Sequence, residues 1–596
     1  MKEHERDCFL GVSRSLGGRR WIERRHDSGI ALALAQRLAL PEIVGRVLAG
    51  RGVSPDRADA FLSPRLRDLL PDPSHLRDMD RAAKRLAAAV IDGELVAILG
   101  DYDVDGAAST ALLKRFLRSA GRDCETHIPD RIEEGYGPSA QAVERLRAAG
   151  ARVLVTLDCG TTAFEALAAA AACGLDTIVI DHHVAEARLP EAWAVVNPNR
   201  LDEDSEHRQI AAVGVTFLLV VAVNRELRSA GWYRSRGLSE PNLMELLDLV
   251  ALGTVCDVVP LTGLNRPLVA QGLKVMARRG NVGLAALADV AGVRERPDPY
   301  HLGFVLGPRI NAGGRVGTAG LGARLLSTSD AGEALEIATA LERLNAERRA
   351  IEDEVMAAAI ACVERRDADD PVIVVAGEGW HPGVIGIVAS RLVERFGRPA
   401  CVVSLMGEEG KGSARSVPGF AIGPAVIAAR QAGLLSAGGG HAMAAGFSVR
   451  AERLDELRLF LSERCTGARS ADRSQPCLTL DGALSPAAAT GDLVALLQQA
   501  GPYGAGHDEP CFVLPSARIA RADIVGERHV RCFLTGVGGG RLKAIAFRSL
   551  GTPVGDALLA RDRLPLHIAG RLRPDEWAGP GQVQLLIADA APCAAN

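Results

Sequence analysis

Lysine, aromatic residues and long apolar runs are all scarce in this chain of 596 residues. Aromatic residues make up 4%, and lysine supplies only 6 of the 69 basic side chains, so arginine carries nearly all of the positive charge. The formal net charge of −4 excludes a polycation, so a nucleic-acid site would have to be a local basic groove. Apolar runs such as the one around Phe217–Val223 fall well short of the roughly 18 residues of a membrane span, so no membrane partner is expected.

The twelve cysteines include no C-x-x-C pair. In a chain of this length, that argues against a zinc finger or a disulfide scaffold. The first ten residues, MKEHERDCFL, are charged and lack an apolar stretch, so no signal peptide is expected. Reduced thiols and the lack of a signal peptide together predict a cytoplasmic protein.

What the chain does contain is a regular alternation of short apolar strands and alanine-rich helices, which starts near residue 76. This alternation predicts a parallel α/β sheet. A long helical pattern without proline, Ala331–Arg365, predicts a connector, and a second α/β stretch begins at Pro371–Ala376. Short strands at regular spacing near the C-terminus predict a small β-barrel.

The predicted fold is therefore α/β, with two α/β lobes joined by a long helix and followed by a C-terminal OB-like β-barrel. The predicted segments are an N-terminal extension at 1–75, a first lobe at 76–300, a connector at 301–365, a second lobe at 366–465 and the barrel at 466–596. The polar stretch 466–475 is interpreted as a linker.

Three aspartates alternate directly after the first predicted strand. Asp101, Asp103 and Asp105 lie in the sequence GDYDVDG, and in open α/β sheets ligands bind beyond the carboxyl ends of the strands. Carboxylates placed on one side repel one another, and divalent cations relieve that repulsion. Taken alone, the segment is also consistent with aspartates that serve only turns and helix N-termini.

Acids and imidazoles follow three further apolar runs. Asp158 follows the second predicted strand, Asp181-His182-His183 follows the third, and Asp257 follows a later apolar segment. Because parallel strands end at the same edge of a sheet, these groups are expected to converge there. Mixed carboxylate and imidazole ligands suit Mn²⁺ or Mg²⁺. Unrelated helix caps are the alternative.

These segments resemble the DHH phosphoesterase superfamily. Asp181-His182-His183 is the tripeptide that gives the superfamily its name, and the other acidic motifs stand in the same order. Within it, the chain is similar to the single-strand-specific 5′→3′ DNA exonucleases over roughly residues 76–590. The segments that carry this similarity are Glu133–Tyr136 with Gly137, Gly307–Arg315, Gly379–Gly386, Ser413–Phe420 and Gly438–Gly446.

The resemblance implies a metal-dependent exonuclease that hydrolyses single-stranded DNA from the 5′ end to 5′-mononucleotides, in DNA repair and recombination. It also implies a single-strand-binding protein and a helicase as partners. Two ions, Mn²⁺ or Mg²⁺, are implied, with Asp158 bridging them. The implied metal ligands are Asp103, Asp105, Asp158, His182 and Asp257. Asp101 would ligate or orient, and His183 would face the substrate phosphate. Some relatives carry histidine where Leu99 stands here, which implies a looser hold on one ion.

Glycine-flanked basic segments are expected to hold the DNA strand, because glycine lets the backbone approach closely and arginine donates a fork of hydrogen bonds. By the resemblance, the substrate-binding residues are Arg309, Ser413, Arg415, His441, Arg131 and Tyr136. The alternatives are ion-paired arginines in ordinary loops, a buried structural histidine at position 441 and simple packing of Tyr136.

Two other functions are consistent with parts of the sequence. One is a small-substrate DHH phosphoesterase acting on short oligonucleotides, cyclic dinucleotides or nucleotide bisphosphates. The other is a catalytically inactive DNA-binding scaffold. The chain length and the β-rich C-terminal region disfavour the first, and the complete acidic set disfavours the second.

Overall fold

The computed structural model describes residues 8–131, 133–365, 370–469, 476–560, 564–575, 577–579 and 581–593. By its internal contacts the chain divides into two units. The smaller unit comprises Met1–Leu70, Pro260–Ala270 and Ser474–Asn596, and the larger comprises Pro71–Val259 and Gln271–Arg473. Among the described helices, none is both long and apolar enough to cross a membrane.

The N-terminal segment contains a short strand and several short helices: β1 Arg20–Glu23, α1 Ser28–Arg37, α2 Glu42–Ala49, α3 Ala58–Leu62 and α4 Leu66–Leu69. The sequence predicted no strand in this N-terminal extension. Strand β1 pairs in parallel with Cys477–Leu480, near the other end of the chain. A four-residue strand with so distant a partner leaves no local periodic signal.

The first lobe of the larger unit is built on a five-stranded sheet. Its elements are α5 Met79–Asp92, β2 Val96–Gly100, α6 Val104–Ser119, β3 Cys124–His127, α7 Ala140–Ala148, β4 Val153–Leu157, α8 Phe164–Ala172, β5 Asp176–Ile180 and β6 Ala194–Val196. The strand order is β3-β2-β4-β5-β6, and every pairing is parallel. The carboxyl ends of β2, β4 and β5 therefore lie side by side, as the sequence predicted.

Helices follow this sheet: α9 Ala212–Ser229, α10 Trp232–Arg236, α11 Leu247–Cys256, α12 Asn265–Met276, α13 Val282–Val290, α14 Gly307–Val316, α15 Leu321–Ser327 and α16 Ala331–Glu364. A π-helical segment, His301–Leu306, leads into α14. The long helix predicted from the sequence is α16. The apolar segment before Asp257 is the helix α11 rather than a strand of the sheet. Residues Leu247–Thr254 are buried on every side, so no polar face marked the segment as helical.

The second lobe consists of β7 Ile373–Glu378, α17 Ile385–Phe396, β8 Ala400–Met406, β9 Glu409–Arg415, α18 Ile422–Gln431, β10 Ala437–Gly440, β11 Ala444–Arg450 and α19 Leu454–Arg469. The strand order is β10-β11-β9-β8-β7, and only β7 and β8 pair in parallel. The predicted linker 466–475 begins inside α19, because the polar last turn of a helix resembles a linker in composition. Residues 470–475 lie outside the described part of the chain.

The C-terminal segment forms the predicted barrel. Its elements are β12 Cys477–Leu480, β13 Gly482–Ala483, α20 Gly491–Gln499, β14 Phe512–Val525, β15 His529–Thr535, β16 Arg541–Ala546, α21 Pro553–Leu559, β17 Leu566–Pro574 and β18 Val583–Pro592. Strands β14-β15-β16-β18-β17 close through the pairing of β14 with β17. Val44, Val47 and Leu48 of α2 belong to the same apolar core as the barrel. The predicted α/β class, with two lobes, a long helix and an OB-like barrel, is confirmed.

Candidate active site

The turn between β2 and α6 carries the three alternating aspartates. Asp103 is the N-cap of α6, and its carboxylate accepts hydrogen bonds from the backbone N–H groups of Asp105 (2.9 Å) and Gly106 (3.1 Å). The helix therefore begins at Val104, and Asp105 lies in its first turn. Asp103 thus caps a helix N-terminus, which was the alternative role for these aspartates. It also lies next to the other carboxylates.

Asp105 is buried and is held by the start of α9. Its two carboxylate oxygens accept hydrogen bonds from the backbone N–H groups of Ala212 (2.7 Å) and Val213 (2.9 Å). Helix α11 passes so close that a Cβ atom on Gly253 would lie 2.8 Å from a carboxylate oxygen of Asp105. Burial, followed by the charges of Asp257 and Asp103, raises the pKa of Asp105 well above its ordinary value.

Asp158 follows β4 in a left-handed backbone conformation, with a φ of +62°. This conformation is rare for residues with a side chain, and such residues cluster at functional sites. The backbone N–H of Asp158 donates to Ile180 on the neighbouring strand (3.0 Å). Its carbonyl accepts a hydrogen bond from the Tyr136 hydroxyl (3.0 Å). The strained turn is therefore fixed from two sides.

The Asp181-His182-His183 tripeptide follows β5, the strand next to β4. Nε2 of His182 lies 3.3 Å from Oδ1 of Asp158 and 3.6 Å from Oδ2 of Asp257. Nδ1 of His183 lies 2.7 Å from Oδ1 of Asp181. Residues from four separate chain segments therefore meet at this edge of the sheet, and α11 contributes Asp257 from its C-terminal cap.

Several buried polar atoms of this cluster have no hydrogen-bond partner in the described part of the chain: Asp101 Oδ1, Asp158 Oδ1, His182 Nε2 and Asp257 Oδ2. A buried polar group without a partner costs about 1–3 kcal/mol. Ligand atoms here form three groups within 4.8 Å: Asp158 with His182 and His183, Asp105 with His182 and Asp257, and Asp101 with Asp103 and Asp158. The groups overlap through Asp158 and His182, and each of them could hold a metal ion.

Burial and mutual repulsion shift the pKa values of the cluster. Burial and the charge of Asp103 raise the pKa of Asp101 to about 8 and that of Asp257 to about 7. Burial and the neighbouring His183 lower the pKa of His182 to about 4, so its imidazole is neutral and able to ligate a metal. Divalent cations among these groups would remove the repulsion between the carboxylates.

Basic side chains lie beside the turn that carries the aspartates. The guanidinium of Arg131 stacks on the ring of Tyr102, 5.2 Å from its centroid. Arg315, in the last turn of α14, donates to the carbonyl of Gly383 (3.0 Å). A Cβ atom on the neighbouring Gly314 would lie 2.9 Å from the backbone oxygen of Tyr102, so α14 approaches the aspartate turn at a residue without a side chain.

Arg315 is crowded by other arginines. Burial, together with the positive charges of Arg131, Arg348 and Arg415, lowers the pKa of Arg315 to about 10, although Asp103 acts in the opposite direction. Like charges that repel one another at short range are stabilised when an anion binds between them. The arrangement is therefore suited to a phosphate next to the carboxylate cluster.

Ser413 and Arg415 extend this basic region from β9. The Arg415 guanidinium donates to the Ser413 hydroxyl (3.2 Å). A Cβ atom on Gly386 would lie 3.1 Å from the Ser413 hydroxyl and 3.2 Å from the Arg415 guanidinium. Gly386 is in the first turn of α17, whose free N–H groups and positive dipole end favour an anion.

The other predicted substrate-binding residues are placed differently. Arg309 is buried, forms an ion pair with Glu342 of α16, and donates to the carbonyl of Val305 (2.7 Å). His441 is exposed between β10 and β11, and its imidazole makes no hydrogen bond or ion pair within the described residues. Tyr136, by contrast, lies against His183, with 5.9 Å between the ring centroids.

Arg315 was not among the predicted substrate-binding residues, although it lies in the segment Gly307–Arg315 that carries the family similarity. Arg309 and Arg315 are six residues apart on α14, and at about 100° per residue they point in directions roughly 120° apart. Nothing in the sequence says which of these directions faces the aspartates.

Comparisons with known proteins identify the domains and the family of the chain. Family models match at residues 95–254 (DHH family, N-terminal domain), 369–467 (DHHA1 domain) and 480–589 (RecJ OB domain). The chain is 38% identical over 563 residues to the single-stranded-DNA-specific exonuclease RecJ of Dickeya dadantii, which covers 92% of this chain and 96% of that protein. It is 36% identical over 560 residues to the protein of the same name from Escherichia coli, covering 92% and 95%.

Solved structures give the same result. The crystal structure of RecJ in complex with Mn²⁺ from Thermus thermophilus matches with a TM-score of 0.78 and 30% identity, covering 95% of this chain and 78% of that one. The Mg²⁺ complex from the same organism matches with a TM-score of 0.73 and 29% identity, covering 96% and 77%. The resemblance to DHH exonucleases is thereby confirmed, and the chain belongs to the RecJ family.

Proposed function

We propose that this protein is a metal-dependent 5′→3′ exonuclease that hydrolyses single-stranded DNA to 5′-mononucleotides. The observation that carries the proposal is the set of buried carboxylate and imidazole atoms on Asp101, Asp158, His182 and Asp257 that make no hydrogen bond to any described residue. The names of the relatives and the Mn²⁺ and Mg²⁺ complexes of the Thermus protein support it.

The donor set fits two divalent ions, Mn²⁺ or Mg²⁺. We assign the metal ligands to Asp103, Asp105, Asp158, His182 and Asp257, with Asp158 shared, because Asp158 belongs to two of the candidate groups. Bound ions would supply neutralising charge and a water of lowered pKa for an in-line displacement. We assign Asp101 to orienting these groups or to ligating an ion with them.

His183 has a different role in this scheme. Burial would lower its pKa, but the hydrogen bond and charge of Asp181 outweigh burial and raise the pKa to about 9. The ring is then a cation at neutral pH and lies beside the Tyr136 hydroxyl (3.3 Å). We assign His183 to the substrate phosphate and Tyr136 to positioning at the rim of the site.

The basic region accounts for the 5′→3′ direction of digestion in this scheme. We assign the 5′-terminal phosphate to Arg131, Arg315, Ser413 and Arg415, so that the first linkage lies over the carboxylates. Arg315 takes the place that sequence analysis gave to Arg309, since the guanidinium of Arg309 is paired with Glu342. For Arg309 and His441, direct contact with DNA stays a prediction.

The proposal extends to the cellular setting. The C-terminal barrel is of a type that binds single strands in basic grooves. We propose a cytoplasmic protein acting in DNA repair and recombination, with a single-strand-binding protein and a helicase as partners. None of the twelve cysteines, all of which lie in the described part of the chain, forms a disulfide, in keeping with that compartment.

The experiment is digestion of 5′- and 3′-labelled single strands and duplexes with Mn²⁺, with Mg²⁺ and with EDTA, by the wild type and by Asp158→Ala. We expect the wild type to release mononucleotides from the 5′ end of single strands but not of duplexes. This release should require Mn²⁺ or Mg²⁺ and should not occur with Asp158→Ala. Asp158→Ala should still bind DNA in EDTA.

The competing functions give other results. Cleavage restricted to di- and trinucleotides would favour a small-substrate phosphoesterase. DNA binding without cleavage by the wild type in either metal would favour an inactive scaffold. Full activity of Asp158→Ala would contradict the assignment of the metal ligands.

A further inference from the structure

Two large aromatic side chains lie in the open on the π-helical segment His301–Leu306 and the residue before it. Tyr300 is 57% exposed and Phe304 is 68% exposed. Their rings stack with centroids 5.3 Å apart and planes 25° apart. In a chain with 4% aromatic residues, such a pair on the surface is unexplained by the core of the lobe.

The segment packs directly on the end of α11 that carries Asp257. The thiol of Cys256 donates to the carbonyl of Leu302 (3.3 Å), and a Cβ atom on Gly303 would lie 3.6 Å from a methyl group of Val255. The aromatic pair is therefore mounted on the backbone that contacts the residue just before Asp257. π-helical turns occur frequently at functional sites.

The backbone next to Asp257 is strained. Val258, which follows Asp257, is largely exposed and has a φ of +60°. A β-branched residue in this conformation is a genuine outlier, and such outliers collect at ligand-binding sites. An exposed apolar side chain therefore also follows Asp257 directly in the chain.

The pair also stands in a fixed relation to the basic region. The π-helical segment runs straight into α14, which ends near Arg315. From Phe304 to Arg315 the helical rise amounts to roughly 15 Å, which is about four or five stacked nucleotides at ~3.4 Å each. Arg315 is close enough to Asp103 to feel its charge, and Leu302 at the other end of the same helical run contacts Cys256, the residue before Asp257. The basic region and the aromatic pair therefore lie toward opposite ends of one continuous helical run.

We propose that Tyr300 and Phe304 form a base-stacking platform for the strand on the 3′ side of the linkage that is cut. The inference rests on the proposed function and adds a specificity-determining surface to it. Aromatic side chains stack on any base, so the platform is indifferent to sequence. Bases of a duplex already stack and pair with each other, so the platform favours single strands.

Binding is measured in the Asp158→Ala background, which leaves the strand uncut, with 5′-phosphorylated oligothymidylates of two and of about ten nucleotides. Replacing both rings by alanine should weaken binding of the longer strand about fivefold or more, as expected for lost stacking. The dinucleotide does not reach the platform, so its affinity should stay unchanged. Phe304→Tyr should retain binding, whereas Phe304→Leu, which keeps the apolar bulk, should not.

Leu335→Ala is the matched control, because Leu335 is 56% exposed on α16 of the same unit. It should leave both affinities unchanged. Abasic sites placed three to five nucleotides from the 5′ end should weaken binding to the Asp158→Ala protein and have no further effect once both rings are removed.

Equal affinity of the double variant for the longer strand would overturn the platform, and so would an equal loss for both lengths. Full rescue by Phe304→Leu would also overturn it, since that result fits an apolar docking surface for a protein. Failure of the proposed function is a separate result: the wild type would then leave single strands uncut in Mn²⁺ and Mg²⁺.

Discussion

Nδ1 of His183 lies 2.7 Å from Oδ1 of Asp181, and the same oxygen accepts hydrogen bonds from the backbone N–H groups of His182 (2.8 Å) and His183 (3.2 Å). The second oxygen accepts from the N–H of Thr161 (3.0 Å). One carboxylate thus fixes the backbone of both histidines and the orientation of one ring. Burial would raise the pKa of Asp181, but these donors and the charge of His183 hold it below its ordinary value.

Asp181 is therefore expected to act by positioning, and Asp181→Asn tests this. An amide replaces one accepting oxygen by a donor, which then faces an N–H group. We expect the affinity for Mn²⁺ and the value of kcat/KM on single strands to fall about 10- to 100-fold, as for other groups that orient metal ligands. Titration calorimetry with Mn²⁺ alone, without DNA, measures the first effect.

Asp176→Asn is the control, because Asp176 stands at the start of the same strand and forms an ion pair with Arg85 (2.6 Å). Partly exposed pairs of this kind contribute about 0–1 kcal/mol, so metal affinity and activity should stay unchanged. Wild-type Mn²⁺ affinity in Asp181→Asn would contradict the positioning role.

Substitutions of Arg309 and Arg315 on α14 should have different effects, one on stability and the other on recognition of the 5′-phosphate. Arg315→Ala should reduce the preference for a 5′-phosphate over a 5′-hydroxyl about 10- to 100-fold, since hydrogen bonds to charged groups contribute about 1.5–3 kcal/mol. Arg309→Ala should keep that preference and lower the unfolding temperature, because it leaves Glu342 without its partner. The measurement is kcat/KM for both kinds of strand end. If only Arg309→Ala lost the preference for a 5′-phosphate, Arg309 would be the phosphate ligand, as the sequence predicted.

The sequence predicted the sheet edge well because each of its motifs is local. Asp158 and the Asp181-His182-His183 tripeptide follow buried runs, and parallel strands place their ends together. Asp257 was also expected in the cluster, but α11 continues as a helix up to Cys256, and a helix buried on all sides shows no periodic polar face. The choice between Arg309 and Arg315 depends on the rotation of α14, which is set by packing against α16 and Tyr102. Such packing leaves no sign in local sequence.

Strand β1 also could not be predicted from local sequence. Its burial leads to a prediction for the smaller unit. Trp21 is fully buried among Val12, Leu480 and Val513, and its indole N–H donates to Asp589 (3.0 Å). Trp21→Ala should destabilise this unit by about 3–5 kcal/mol, as for other buried aromatic truncations. Thermal unfolding followed by circular dichroism and by limited proteolysis measures the effect.

Trp577 belongs to the same unit and is 96% exposed, so Trp577→Ala is the matched control and should leave the unfolding temperature unchanged. If Trp21→Ala unfolded at the wild-type temperature, the N-terminal strand would have no part in holding this unit together.

Asp248, in the first turn of α11, is a buried acid away from the carboxylate cluster. One of its oxygens accepts a hydrogen bond from the N–H of Leu249 (2.8 Å), and the carboxylate forms no ion pair with the described residues. Burial raises its pKa to about 6, against about 3.9 in an unfolded chain. The folded state therefore holds this proton more tightly than the unfolded state does.

This difference fixes the direction of the pH dependence. The contribution of Asp248 to stability is fully present below about pH 4 and is lost as the pH rises through about 6, because ionisation then favours the unfolded chain. Two pKa units correspond to about 3 kcal/mol. Asp248→Asn cannot ionise, so it should unfold at a higher temperature than the wild type at pH 8 and at nearly the same temperature at pH 4. Asp353 is exposed, so Asp353→Asn should change the unfolding temperature equally little at both pH values. If Asp248→Asn raised the unfolding temperature by the same amount at pH 4 and pH 8, packing rather than charge would explain the effect.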